Sequence, residues 1–184
     1  MANEMAKSKV VKIEELYGDK ELAVKKNELN ILLNHAPATE WIKDHPYAKC
    51  KYVPIERIEW LLTSIFQSWK VEVKDVKHIA NSVVVTVRLH YFNPVEDAWN
   101  WQDGVGASPI QVDKGAGAIE WDKVKTAAIQ MAAPSAETYA IKDAAEKLGK
   151  IFGKDLNRKD LMSYENLKAK QFTEPDLSNF TKDA

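Results

Sequence analysis

Apolar and polar positions alternate along the chain with two different periods. Four stretches carry apolar residues at helical three- and four-residue steps or have an apolar helix-forming composition. These stretches are Glu21–Leu33, Tyr52–Ser68, Trp121–Ala132 and Ser135–Arg158. A short helical turn is also expected at Thr39–His45, before Pro46.

The stretch Ser135–Arg158 has the clearest organisation. Ser135 is the expected N-cap, and apolar residues from Tyr139 to Phe152 form one face, with lysines on the remaining surface. Its alanines are small, so another element is expected to pack closely on this helix. Gly149 costs about 1 kcal/mol in a helix interior, which predicts a close backbone approach there. Gly153 is expected to end the helix in a left-handed conformation.

Between these helices the apolar period changes to two, which predicts β-strands. The predicted strands are Trp69–Val73, Val83–Tyr91 and Ala98–Gln102, with a turn at His78–Ser82 between the first two. The segment Gly104–Ser108 is expected to end the meander. The sequence therefore predicts an α+β fold, with an antiparallel β-meander of three strands, or slightly more, packed on a long central helix.

Composition places this fold in a soluble chain. The 184 residues are 45% hydrophobic and 29% charged, and no apolar run is long enough to cross a membrane. The only cysteine, Cys50, allows no internal disulfide, which favours a reducing cytoplasm. We predict a flexible N-terminal arm at 1–20, one core domain at 21–160 and a polar C-terminal tail at 161–184.

The charge distribution restricts the kind of anion site that the chain can form. The formal net charge is −1, which excludes a strongly basic nucleic-acid binder. The charge is uneven, however: residues 43–78 contain seven Lys or Arg against five Asp or Glu, and residues 160–184 contain three against five. An anion site is therefore expected to be a local groove rather than a whole face.

The common catalytic motifs are missing from the sequence. There is no Gly-Lys-Ser/Thr phosphate loop, no nucleophile elbow, no HExxH motif and no metal-ligand spacing among the four histidines. We therefore expect a non-enzymatic protein without a cofactor or metal. Most of the six tryptophans are expected to serve in packing, with one or two available for stacking on bases.

The order of elements and four short motifs resemble the Rad-fifty-two family of single-strand annealing proteins, which includes phage recombination proteins of the Sak type. The motifs are YVPIERI at 52–58, the strand start at Trp69, DGVGAS at 103–108 and AIKDAAEKLGKIFGKDL at 140–156. The order and spacing of the four motifs together carry the resemblance. The resemblance covers residues 29–158.

The resemblance implies ATP-independent binding and annealing of single-stranded DNA in recombination and repair. It also implies a homo-oligomeric ring or filament in the cytoplasm, that of the host if a phage encodes the chain. A phage exonuclease or a host single-strand binding protein would be a further partner. By position, Arg57, Lys147 and Lys150 match basic residues of the family's DNA groove. The predicted DNA-binding set also includes Lys142, Lys154 and Arg88. Glu146 stands where the family often has a basic residue, which weakens the charge of the groove.

Two other functions remain open at this stage. The chain could be a protein-interaction or structural module on a similar α+β scaffold, using its aromatic residues for a protein partner. It could also be a small α+β enzyme, which a ligand-sized, acid-lined pocket would favour.

Overall fold

The computed structural model describes residues 18–45, 49–117 and 120–158. The helices are α1 Lys20–Leu33, α2 Ile55–Phe66 and α3 Ala128–Glu146. The strands are β1 Lys43–Asp44, β2 Lys51–Tyr52, β3 Trp69–Ile79, β4 Ser82–Asn93 and β5 Ala98–Pro109. Short 3₁₀ helices lie at Thr39–Trp41, Trp121–Lys123 and Lys150–Phe152.

The larger sheet confirms the predicted α+β class with a three-stranded antiparallel sheet. Its strand order is β3-β4-β5, and a second, two-stranded sheet pairs β1 with β2. All three strands of the larger sheet are longer than predicted: β3 continues to Ile79, β4 spans Ser82–Asn93 and β5 continues to Pro109. The segment Gly104–Ser108 therefore belongs to β5, and the prediction that it ends the meander is wrong.

Helix α3 lies on the inner face of β4 and β5. Gly104 and Gly106 are buried on that face, opposite Val87 and Val85 of β4. A Cβ at Gly106 would overlap the backbone of Ala136 and Ala140, so the glycines let the helix backbone sit directly on the strand. The buried alanines of this face are Ala128, Ala132, Ala136, Ala140 and Ala144. The predicted close packing on the helix alanines is thus confirmed.

The bounds of α3 correct two predictions. The two helices expected at Trp121–Ala132 and Ser135–Arg158 are largely one helix, and Pro134 lies inside it. Pro134 is exposed, so the backbone hydrogen bond that proline removes is lost on the solvent side of the helix. Ser135 is not an N-cap, because its hydroxyl donates to the Met131 carbonyl within the helix at 2.9 Å.

Beyond Glu146 the chain leaves α3 and turns. Gly149 is buried, and a Cβ there would overlap the Leu33 carbonyl of α1, which confirms the predicted close backbone approach. Gly153 has φ 103°, in the left-handed region, and it ends the 3₁₀ helix rather than α3. Lys147 and Lys150 consequently do not lie on the surface of one helix, although the sequence analysis placed both within the helix Ser135–Arg158.

The second half of the core lies between α2, the start of the sheet and the segment after α3. Ile58, Leu62 and Phe66 of α2 are almost fully buried with Leu89 and Phe152. Helices α1 and α2 occupy the predicted stretches, and Asp19 caps α1 by accepting hydrogen bonds from two backbone amides. This cluster connects α1 and α2 to the sheet.

Among the described residues, no helix has both the length and the apolar character needed to span a bilayer. The predicted tail at 161–184 and all but the last three residues of the predicted arm at 1–20 fall outside the described residues.

Candidate nucleic-acid interface

A cleft of about 770 Å³ opens between α3 and the small β1–β2 sheet. One wall is formed by Lys43, His45 and Tyr52 of the small sheet region, and the start of α2 contributes Glu56. The opposite wall comes from α3 and from the end of β5. Its lining on that side is Ser108, Pro109, Ser135, Thr138, Tyr139 and Lys142.

The β1–β2 wall is held in place by a side chain from the other end of the described chain. Lys43 pairs with Tyr52 in a two-residue antiparallel ladder. The Asn157 side chain accepts a hydrogen bond from the Lys51 amide at 2.7 Å and donates one to the Lys51 carbonyl at 2.8 Å. Asn157 thus replaces the hydrogen-bonding partner that a further strand would supply to β2.

Lys142 projects from α3 into the cleft and is only 9% exposed. Its Nζ lies 4.2 Å from the centroid of the Tyr52 ring and 5.7 Å from that of Tyr139, so two aromatic faces stabilise the ammonium group. Burial lowers the pKa of Lys142, while the nearby Glu146 carboxylate opposes that change. The prediction that Lys142 lies on the solvated helix surface is therefore wrong.

Two further groups of the cleft are linked to this lysine. The His45 Nε2 atom is 3.3 Å from the Tyr139 hydroxyl, and the His45 ring meets Tyr52 edge-on at a centroid distance of 5.9 Å. Tyr139, expected on the buried apolar face, is instead 39% exposed at the cleft. Lys43 at the rim is exposed, with its Nζ 3.8 Å from Glu56.

Glu146 lies one helical turn from Lys142, near the end of α3. Burial, with repulsion from Asp143, raises the pKa of Glu146 to about 6, although Lys142 acts in the opposite direction. A carboxylate at the C-terminal end of a helix is also unfavourable with respect to the helix dipole. Glu146 therefore reduces the positive potential beside Lys142.

Two other residues of the predicted DNA-binding set meet at Asp103 of the edge strand β5. Arg88 donates two hydrogen bonds to the Asp103 carboxylate, at 2.7 and 2.9 Å, and its guanidinium lies 3.8 Å from the centroid of the Trp101 ring. Lys147 donates to the Asp103 carbonyl at 2.7 Å and to Asp143 at 2.9 Å. The hydrogen bonds from Arg88 hold the pKa of Asp103 below its usual value.

The outer sheet face, defined here by Lys70, Arg88, Trp99 and Trp101, carries exposed aromatic groups. Trp99 and Trp101 are 51% and 53% exposed, and the Lys70 Nζ lies 5.5 Å from the centroid of Trp99. The cations of this face already contact protein groups. The outer sheet face is therefore a flat aromatic surface, not a positively charged groove.

The remaining residues of the predicted DNA-binding set lie neither in the cleft nor on the outer sheet face. Arg57 is exposed on α2, with its guanidinium 5.7 Å from the Trp41 ring centroid. Lys150 is partly buried, with its Nζ 3.7 Å from Asp155, and Lys154 is exposed nearby. The structure thus brings together Arg88 with Lys147, but it does not bring Arg57 or Lys150 into the lining of the cleft.

Sequence reasoning missed Lys43, His45, Tyr52 and Tyr139 as site residues. Two-residue strands are too short for any periodicity to reveal, so the pairing that places Lys43 beside Tyr52 has no local signal. Tyr139 did carry a signal, because its position on the helix is four residues before Asp143 and three before Lys142.

Comparison of the sequence with protein-family models gives no match, and comparison with curated proteins gives no significant similarity.

Proposed function

We propose that the protein binds single-stranded DNA in the cleft and anneals complementary strands without ATP. The observation that carries the proposal is Lys142, buried between Tyr52 and Tyr139 in an open cleft with Lys43 at its rim. Grooves that hold single strands combine cations for the backbone with aromatic side chains for the bases, and this cleft contains both.

The charge of the cleft favours an anionic ligand. Its charged lining consists of two lysines against one glutamate, so it is locally positive in a chain of net charge −1. The cleft is large enough for a small ligand, but it is not lined by acidic residues. A pocket with both properties was the feature expected of the enzyme alternative. Phosphate contacts by lysine are electrostatic and independent of base sequence, as annealing of any complementary pair requires.

Annealing needs no covalent step, so a cleft that binds the backbone and leaves base edges accessible would be sufficient. The proposal includes the finer architecture implied by the resemblance, a Rad-fifty-two-like core assembled into a ring or filament. Adjacent copies would align their clefts into one continuous track for the strand. The basic residues outside the cleft, Arg57, Lys147, Lys150 and Lys154, would then contact phosphates between neighbouring clefts.

The outer sheet face favours a second candidate, a protein-interaction module. Tryptophan and arginine dominate the energetics of protein interfaces, and Trp99, Trp101 and Arg88 lie together on that face. If this candidate holds, substitutions on the outer sheet face remove partner binding while substitutions in the cleft have no effect.

Fluorescence anisotropy with a labelled single-stranded oligonucleotide, titrated with salt, tests the main proposal. Lys43 is exposed, so Lys43→Gln removes one charge without disturbing the core. Lys142→Met keeps an unbranched apolar side chain only one heavy atom shorter than lysine and removes its charge. We expect each variant to weaken binding to all sequences and to reduce the salt slope by about 1.

Lys25→Met is the matched control, because Lys25 is exposed on α1 and does not line the cleft. The same variants are compared in an annealing assay with complementary oligonucleotides and no nucleotide. The proposal is rejected if wild-type protein shows no salt-dependent binding, or if the folded cleft variants bind as tightly as the Lys25 control.

A further inference from the structure

Strand β3 leaves one backbone edge of the large sheet without a strand partner in the part of the chain that the structure describes. This edge is 11 residues long. Unpaired edges of that length are templates for pairing with another chain. The side chains of β3 determine whether this edge can pair with a strand of another chain, and with which strand.

The inner face of β3 is only partly covered. Helix α3 lies over β4 and β5, so Val73 and Val76 are 48% and 58% exposed. Both valines belong to the inner face, because they pair with the buried Val87 and Val85 of β4. An edge-to-edge contact would bring the valines of two chains together.

A β-bulge at Lys74 changes which side chains share the outer face. The register shifts between Val73 and Asp75, so Glu72, Asp75 and Lys77 all pair with outer-face residues of β4. In a regular strand, residues 72 and 77 would point to opposite faces, since side chains alternate with a period of two. Lys74 also reaches the outer face, where its Nζ lies 3.0 Å from Glu72.

We infer that β3 pairs antiparallel with β3 of a second copy, about a two-fold axis between residues 74 and 75. In this register Glu72 lies opposite Lys77 of the second copy, and Lys74 lies opposite its Asp75. Val73 faces Val76 on the inner side. Each contact occurs twice. Because of the bulge, the two side chains of each pair lie on the same face of the sheet. The product is a six-stranded sheet, and this inference does not depend on DNA binding.

The charges of β3 disfavour the neighbouring registers. Moving the axis one residue toward the N-terminus places Glu72 opposite Asp75 and Lys70 opposite Lys77. Moving it one residue toward the C-terminus places Lys74 opposite Lys77. Like charges directly opposite each other are destabilising, so the edge charges oppose general aggregation and select one self-pairing.

Cysteine cross-linking tests the register. In a Cys50→Ser background, Val73→Cys and Val76→Cys are made as separate proteins. Directly opposed residues have Cα atoms about 4.5–5.5 Å apart, within disulfide range. Identical positions would be about 10 Å apart along the strand. We expect a disulfide-linked dimer from the mixture of the two proteins and none from either protein alone.

A charge exchange gives an independent test by sedimentation. Glu72→Lys should raise the dissociation constant of the dimer about tenfold, because two attractive pairs become repulsive. Adding Lys77→Glu to the same chain restores both pairs and should restore association. The inference is overturned if the mixture gives no cross-link, if either cysteine variant cross-links alone as readily, or if the double exchange dissociates like the single variant.

Discussion

The contact between α3 and β5 allows a sharp stability prediction, for the variant Gly106→Ala. The backbone φ of Gly106 is not in the left-handed region, so alanine meets no intrinsic backbone strain. Its Cβ, however, would overlap the Ala136 carbonyl oxygen and the Ala140 amide nitrogen. Both obstacles are backbone atoms of a 19-residue helix, so no side-chain rotation can remove the overlap.

The magnitude follows from the displacement that the methyl group requires. Separating helix and strand by about 1 Å forfeits a quarter to a half of each dispersion contact along the interface. Overpacking of this kind costs about 1–3 kcal/mol, and an obstacle made of backbone favours the upper end. Alanine regains about 0.5–1 kcal/mol over glycine within a strand. We therefore expect a net loss of about 2 kcal/mol in the free energy of unfolding.

Urea denaturation followed by circular dichroism measures this loss. For a slope of about 2 kcal/mol per molar, the midpoint should fall by about 1 M. Gly117→Ala is the control, because a Cβ there would meet only Glu120 side-chain atoms at 3.7–3.8 Å. The reasoning is refuted if the urea midpoint of Gly106→Ala lies within about 0.2 M of that of the control, roughly a fifth of the expected shift.

Two other predictions concern charge. The pKa of Glu146 is raised from 4.5 to about 6, so between pH 4.5 and about pH 6 the folded state binds more protons than the unfolded state. The free energy of unfolding therefore falls as the pH rises through this range. Glu146→Gln should therefore stabilise the protein at about pH 8 and have little effect at about pH 4, and equal urea midpoint shifts at both pH values would contradict this. If the cleft forms part of a continuous DNA track, Lys147→Ala with Lys150→Ala, or Arg57→Ala alone, should lower single-strand affinity and flatten its salt dependence. Unchanged salt slopes in these folded variants would remove those residues from the track.

Hydrophobic periodicity predicted the elements in which the apolar residues of a single strand or helix form its buried face. In β4, Val83, Val85, Val87 and Leu89 alternate with more exposed residues, so one strand alone shows which face is inward. Helix α2 is similar, because its buried residues repeat at helical steps. These parts of the fold could be predicted since the sequence pattern and the burial pattern have the same period.

The parts that failed depend on contacts between distant segments. The helix start expected at Ser135 does not occur. Helix α3 continues through Pro134 because Ala132 and Ala136, on either side of it, belong to one buried cluster with valines of β4. The sequence pattern places Lys142 at the surface. The two tyrosine rings, one of them from β2, and the nearby Glu146 carboxylate make the burial of its ammonium group favourable. The cleft was not predictable for the same reason, since most of its lining comes from elements far apart in the sequence.

The two hydrogen bonds between the Asn157 side chain and the Lys51 backbone make the cleft wall sensitive to deamidation of Asn157. Spontaneous deamidation would convert the side-chain amide to a carboxylate, which can still accept from the Lys51 amide but can no longer donate to the Lys51 carbonyl. Two oxygens would then face each other where β2 is now anchored. An old preparation could therefore lose the geometry around Tyr52 without any change in its genetic sequence, and mass spectrometry of the peptide containing Asn157 would report it.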